Sequence, residues 1–223
     1  MQALLNGLRF LGDQRVEVGK LFWQHIQLTS IALAIALLIA LPLGWLLSRV
    51  RWLQTPILSV LGIIYTIPSL SLFVLLIPWL GLGSKPALVA LVAYAQIVLV
   101  RNILLGINSI DPAIIEAAKG MGMSNWQRLI RIELPLALPL ILAGIRIATL
   151  SIIAIASIAA YIGAGGLGQL LFQGVATGSR PRIIAGSIAL IGLALLANLL
   201  FHAIEWAAAR WLGIREQASL STN

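Results

Sequence analysis

The charges in this sequence are not spread evenly along it. Between Lys20 and Arg49, between Arg51 and Lys85, and between Arg146 and Arg180 there is no Asp, Glu, Lys or Arg. Each interval is longer than the roughly 20 apolar residues with which a helix crosses a hydrocarbon core about 30 Å thick. A surface helix in water needs a polar face, whereas a helix in lipid does not. Over the whole 223 residues, 60% are hydrophobic and only 10% charged, too few charges to cover a water-soluble surface. The fold class these features predict is all-α, a polytopic membrane helical bundle.

Five transmembrane spans are expected, over residues 21–48, 56–80, 86–107, 139–161 and 183–207. Pro68 and Pro78 predict kinks in the second, tolerable where neighbouring helices or water satisfy the freed carbonyls. Gly81, Gly83 and Pro86 then mark a turn. The run from Gly163 to Gly168, GAGGLG, is too rich in glycine for a helix interior and predicts a turn or re-entrant segment outside the fourth span. Ahead of the first span, Leu4, Leu8 and Leu11 recur at helical spacing among Arg9, Asp13, Arg15, Glu17 and Lys20. A short helix at the membrane interface is expected there. The apolar run that follows is about twice a signal-peptide core, so no cleaved leader is expected. The organisation is thus an interfacial segment, 1–20, one membrane domain, 21–209, with a polar loop at 108–135, and a tail, 210–223.

Several function classes are disfavoured. The net charge of +8 comes from basic residues scattered between apolar runs, with no basic stripe interleaved with aromatics, so nucleic acid is not an expected partner. There is no cysteine, which removes disulfides and thiol catalysis. With two histidines and no carboxylate cluster, no metal site and no cofactor are expected, and His25 is expected to be an interfacial residue at the mouth of the first span. Thr29, Ser30, Ser151 and Ser157 share their segments with no His or Lys apart from His25, and are expected to bond to helix carbonyls or across helices. Tyr65, Trp79, Tyr94 and Tyr161 are assigned to interfacial belts or helix packing, although each could stack on a quaternary ammonium. Arg101 and Arg146 are intramembrane charges and hence candidates for function. The expectation is that they snorkel, or pair with Asp111, Glu116, Glu133 or Glu205. His202 and Glu205, near Arg210, are expected to anchor the last span at the interface.

The loop at 108–135 carries the most local information. Asp111 can cap orphan N–H groups, and Pro112 suits the first helical position because it has no N–H to leave unpaired. Ile114, Ile115 and Ala118 fall on one helical face, and Gly122 permits the positive φ of a sharp stop. Ser124 and Gln127 have capping-box spacing. Two short helices joined by a tight bend at Gly122 are therefore expected, with a second stop at Pro135 before the fourth span.

Glu116-Ala117-Ala118, then Gly122, then Ile132, then Leu134-Pro135, at these spacings and between two apolar spans, resembles the cytoplasmic EAA loop of permease subunits of bacterial ATP-binding cassette (ABC) importers. The stretches Tyr65-Thr66-Ile67-Pro68-Ser69-Leu70, Lys85-Pro86-Ala87-Leu88, Arg101-Asn102 and Tyr161 to Gly168 are similar to permeases of osmoprotectant importers for glycine betaine, carnitine or choline. GAGGLG also occurs in related methionine and phosphonate permeases.

The resemblance implies a bacterial inner-membrane permease whose loop residues Asp111, Pro112, Glu116, Ala117, Ala118, Gly122, Ile132, Leu134 and Pro135 couple it to cytoplasmic ATP-binding subunits. A second permease copy or a sister permease and an extracytoplasmic solute-binding protein complete the implied partners, with the lipid bilayer around them. It also places the loop and C-terminus in the cytoplasm and the N-terminus outside. Basic residues alone orient the chain weakly: Arg49, Arg51, Lys119, Arg128, Arg131, Arg210 and Arg215 would lie inside, against Arg9, Arg15, Lys20, Lys85, Arg180 and Arg182 outside. No G-x-x-x-x-G-K-[ST] phosphate loop occurs, so ATP hydrolysis falls to a partner. A secondary carrier would predict an internal repeat or buried acids, and an intramembrane enzyme a paired acid and base; the sequence shows neither.

Overall fold

The structure, a computed structural model, describes residues 2–211. The tail expected at 210–223, with Arg215, lies almost wholly outside the described residues. Ten α-helices follow in order: α1 (Gln2–Asp13), α2 (Arg15–Arg49), α3 (Gln54–Thr66), α4 (Ser69–Leu80), α5 (Ser84–Asn108), α6 (Pro112–Gly120), α7 (Asn125–Arg128), α8 (Leu134–Ala159), α9 (Gly168–Ala176) and α10 (Arg180–Trp211). No strand occurs among the described residues.

Among the described residues four helical runs are long and apolar enough to cross a membrane: α2, α5, the run from α7 through α8, and α10. The expected second span is the exception. It is two helices, α3 and α4, bent by 96° at their junction, and it makes a fifth crossing if the pair is one span. The expected kink is a full break because Pro68 holds Ile67 extended (φ −65°, ψ 129°) and cannot donate to the preceding turn. Pro78, by contrast, stays inside α4 without breaking it.

α5 is the centre of the bundle, packed against α2 and α8. Small residues allow the close approach: Ala32, Ala36 and Ala40 of α2, Ala87, Ala90 and Ala95 of α5, and Ala148 and Ala156 of α8 are all at most 1% exposed. Since lipid tails are as apolar as leucine, such contacts hold helices together by packing density, not by escape from water. Outward-facing residues such as Leu195, Leu199 and Leu200 on α10 stay exposed, as a lipid-facing surface requires.

At the N-terminus α2 starts at Arg15, six residues before the expected boundary. α1 lies along α10, with Gly7 against Ile184, while Leu4 and Leu8 remain exposed. Arg182 ties the three helices by pairing with Glu17 at 3.1 Å and lying over the Phe10 ring.

His25 is not interfacial. It is fully buried, its Nε2–H donating to the Ile153 carbonyl at 3.1 Å. The cause is the glycine-rich turn, which folds back over α2 and leads into α9, a helix the sequence did not suggest. Gly166 (φ 80°) sits so close that a Cβ there would lie 2.8 Å from His25 Nδ1, and its N–H donates to Gln24 Oε1 at 3.3 Å.

Candidate functional site

The polar loop folds as its local signals dictate. The Asp111 carboxylate accepts from the Ala113 N–H at 2.8 Å, starting α6 at Pro112. Gly122 takes φ 76° and turns the chain. The Ser124 hydroxyl accepts from the Gln127 N–H (3.2 Å), and the Gln127 amide oxygen accepts from the Ser124 N–H (2.9 Å), so α7 begins on a complete capping box.

The apolar face of the first loop helix is largely uncovered. On α6 only Ala118 is buried, Ile115 is partly covered, and Ile114 is exposed together with Ala117 and Glu116. Beyond the bend, Met121 is 72% and Trp126 65% exposed. Large apolar side chains on a charged, water-facing loop are the composition of a docking surface, where aromatic and Met anchors are enriched. The Lys119 ammonium donates to Glu116 at 2.7 Å and holds its carboxyl below the usual carboxylate range.

The expected stop at Pro135 does not occur. Helix continues from α7 into α8 through a π-helical turn, Leu129–Glu133. Pro135 has no N–H for the Arg131 carbonyl, and its ring would crowd that oxygen in a regular α-turn; the wider turn relieves both conflicts. Ile132 lies in this turn, half-buried, and Leu134 and Pro135 open α8.

The same turn builds a feature that the sequence did not reveal. Glu133, 1% exposed, accepts from Arg49 Nη2 at the end of α2 (2.7 Å) and from Arg128 Nε on α7 (2.8 Å). Arg128, itself buried, also donates to Asn125 Oδ1 at 3.2 Å. One carboxylate thus holds the second loop helix to the first span. Arg49 and Arg128 had signified only loop charge in the sequence. The available signal was that Glu133 is the last acid before a long apolar run, where an unpaired carboxylate would be costly.

The intramembrane arginines separate. Arg146 of α8 pairs with Glu205 of α10 at 3.0 Å, one of the partners expected. His202 Nδ1 stands 4.0 Å from the same carboxylate. Arg101 is exposed on α5 and forms no ion pair among the described residues. Neither arginine joins the loop cluster. Tyr94 packs edge-on to Tyr65, and its hydroxyl donates to the Ile67 carbonyl that the α3–α4 break leaves free. Near the start of α2, a cavity of about 580 Å3 is lined by Glu17, Lys20, Gln24, Gln27, Ser84 and Gln169 among others, with no aromatic side chain.

Residues 32–210 match the family described as binding-protein-dependent transport system inner membrane component. The osmoprotectant import permease protein OsmW of Salmonella typhimurium is 38% identical over 206 residues, 90% of this chain and 96% of that protein. The choline transport system permease protein OpuBB of Bacillus subtilis is 37% identical, over 89% of this chain and 91% of its own length. The carnitine transport permease protein OpuCB of Listeria monocytogenes is 36% identical, over 82% and 84%. Among solved structures, an inward-facing form of the MetNI methionine ABC transporter superposes with a TM-score of 0.81 at 23% identity, covering 88% of this chain and 98% of that one. At that identity the likeness is one of fold.

Proposed function

We propose, from the premise that this chain belongs to the family of binding-protein-dependent transport system inner membrane components, that it passes small quaternary ammonium osmoprotectants such as glycine betaine, carnitine or choline. It is the permease subunit of an ABC importer in the bacterial inner membrane. The observation that carries the solute proposal is the similarity to three osmoprotectant permeases along more than four-fifths of the chain.

The chemistry of the outer cavity is compatible with it. Glutamines make weakly polar walls, Lys20 adds a positive charge, and the one lining carboxylate, Glu17, is already paired with Arg182. A permanent cation would pass without being trapped, which an importer needs because solute must leave on the far side. Selectivity then resides in a separate solute-binding protein.

In this proposal the α6–α7 loop is cytoplasmic and docks on ATP-binding subunits. Asp111 and Pro112 set the first helix, Glu116 to Ala118 form its body, and Gly122 sets the bend. Ile132, Leu134 and Pro135 carry the movement into α8. Support comes from the exposed Ile114 and Met121 and from the Glu133 link to α2. The pore is shared with a second copy or a sister permease. ATP and loaded binding protein act by favouring different states of it, since a ligand indifferent to state shifts nothing.

The test is uptake of labelled glycine betaine, choline, methionine and a phosphonate by vesicles carrying the assembled importer. Entry of betaine or choline is expected. Entry of methionine or the phosphonate alone would overturn the solute assignment and leave the importer assignment standing.

A further inference from the structure

Where α2 and α5 end beneath the α6–α7 loop, two cavities of opposite character adjoin. One, of about 350 Å3, is walled by Leu41, Pro42, Trp45, Ile103, Ile141 and the loop's Trp126, among others, and is almost entirely apolar. The other, of about 510 Å3, is polar and charged, lined by Arg49, Arg51, Gln54, Asn108, Glu116 and Glu133 among others. Ile107 lines both. Trp45 and Arg49 stand one turn apart on α2, one in each cavity, so the change from apolar to basic takes about 6 Å along the helix axis.

We propose that the two cavities together seat one anionic phospholipid of the cytoplasmic leaflet, with an acyl chain in the apolar groove and its phosphate at Arg51 and Arg49. Charge favours an anion there. Arg51 is exposed and forms no ion pair among the described residues, and Arg49 shares the single Glu133 carboxylate with Arg128. In and beside the cavity four cations, Arg49, Arg51, Arg128 and Lys119, therefore meet two carboxylates, Glu133 and Glu116. Glu116, on the far wall, is already paired with Lys119. Guanidinium binds phosphate through parallel N–H bonds, and basic clefts between spans on the cytoplasmic side suit anionic headgroups. A soluble anion would use the basic cavity and leave the groove empty; only an amphipathic ligand fills both.

The order along α2 fits the depth of a lipid. Leu41 and Trp45 precede Arg49 and so lie deeper in the bilayer if the loop is cytoplasmic, the orientation on which this inference rests. Lipid binding to the purified chain is measured without reference to orientation or transport, so a failure of this inference is distinguishable from a failure of that one.

The full chain is purified in detergent, equilibrated with equal amounts of phosphatidylglycerol and phosphatidylcholine of the same chain length, and examined by native mass spectrometry. Retention of phosphatidylglycerol at least five-fold above phosphatidylcholine is expected. Arg51→Gln, at an exposed position, should bring that ratio close to one. Leu41→Trp, which fills the groove, should lower retention at least three-fold with thermal stability unchanged. Equal retention of the two lipids, or a preference that survives Arg51→Gln, overturns the proposal. Full retention in Leu41→Trp also overturns it, leaving a bare anion site. The chain has no cysteine of its own, so disulfide crosslinking of Leu41→Cys between two copies would show that a second permease covers the groove, and this too overturns the proposal.

Discussion

Glu133 is held between two arginines at almost no exposure, and that arrangement makes it the residue least tolerant of change in the loop. Burying Glu133 and Arg128 is itself costly, so the cluster is not a large source of net stability, and Arg49 stays partly exposed. Removing the carboxylate is another matter, because Arg128 then stays buried without its counter-charge, at about 3 kcal/mol. Glu133→Gln is therefore expected to lower the thermal unfolding midpoint of the purified protein clearly. Lys119→Ala removes only an exposed pair and should leave the midpoint where it was. Equal midpoints for Glu133→Gln and the parent chain would show that the cluster carries no structural role. Arg128 lies only five positions from Glu133, but the second partner could not be read from the sequence, since Arg49 lies 84 positions away.

At the scale of elements, the loop and the broken pair are both set by local stereochemistry, and each makes a prediction. Gly122 has open space around it, so a side chain there meets no neighbour and only the positive φ opposes it. Gly122→Val should cost about 1–3 kcal/mol if the bend persists, because a β-branched residue resists that region. Asn visits it far more readily. Membrane insertion without ATP-driven uptake is expected for Gly122→Val, with partial uptake for Gly122→Asn. Full uptake by the valine variant at normal abundance would mean that the bend is dispensable. At the α3–α4 break, Tyr94→Phe leaves the Ile67 carbonyl without its donor in an apolar setting, at about 1–3 kcal/mol. A lower unfolding midpoint in detergent is the expected sign, and an unchanged one would mean that another donor satisfies that oxygen. Pro68 was visible in the sequence as a disturbance, but the 96° angle was not, because it depends on what α5 offers the exposed carbonyl. Pro135 went the other way: a stop on local rules became a π-turn, since α8 and the Arg49–Glu133 contact reward a continuous helix.

For the whole molecule, orientation in the membrane is the property most open to experiment. With the α6–α7 loop in the cytoplasm, a single thiol introduced as Ser124→Cys into this cysteine-free chain should react only with membrane-permeant reagents. Labelling from outside intact cells by an impermeant maleimide would invert the topology. The sequence by itself determined that the chain is helical and membrane-embedded, where its long helices run, and how the loop begins, bends and caps. Those features depend on apolar length and on contacts within about four residues, both legible in order along the chain. Only the tertiary structure decided that His25 is buried beneath a glycine turn, that Arg146 finds Glu205, and that Glu133 joins Arg49 to Arg128. Each joins residues from different helices, and apolar helices carry little amphipathic pattern to show which face will meet which neighbour.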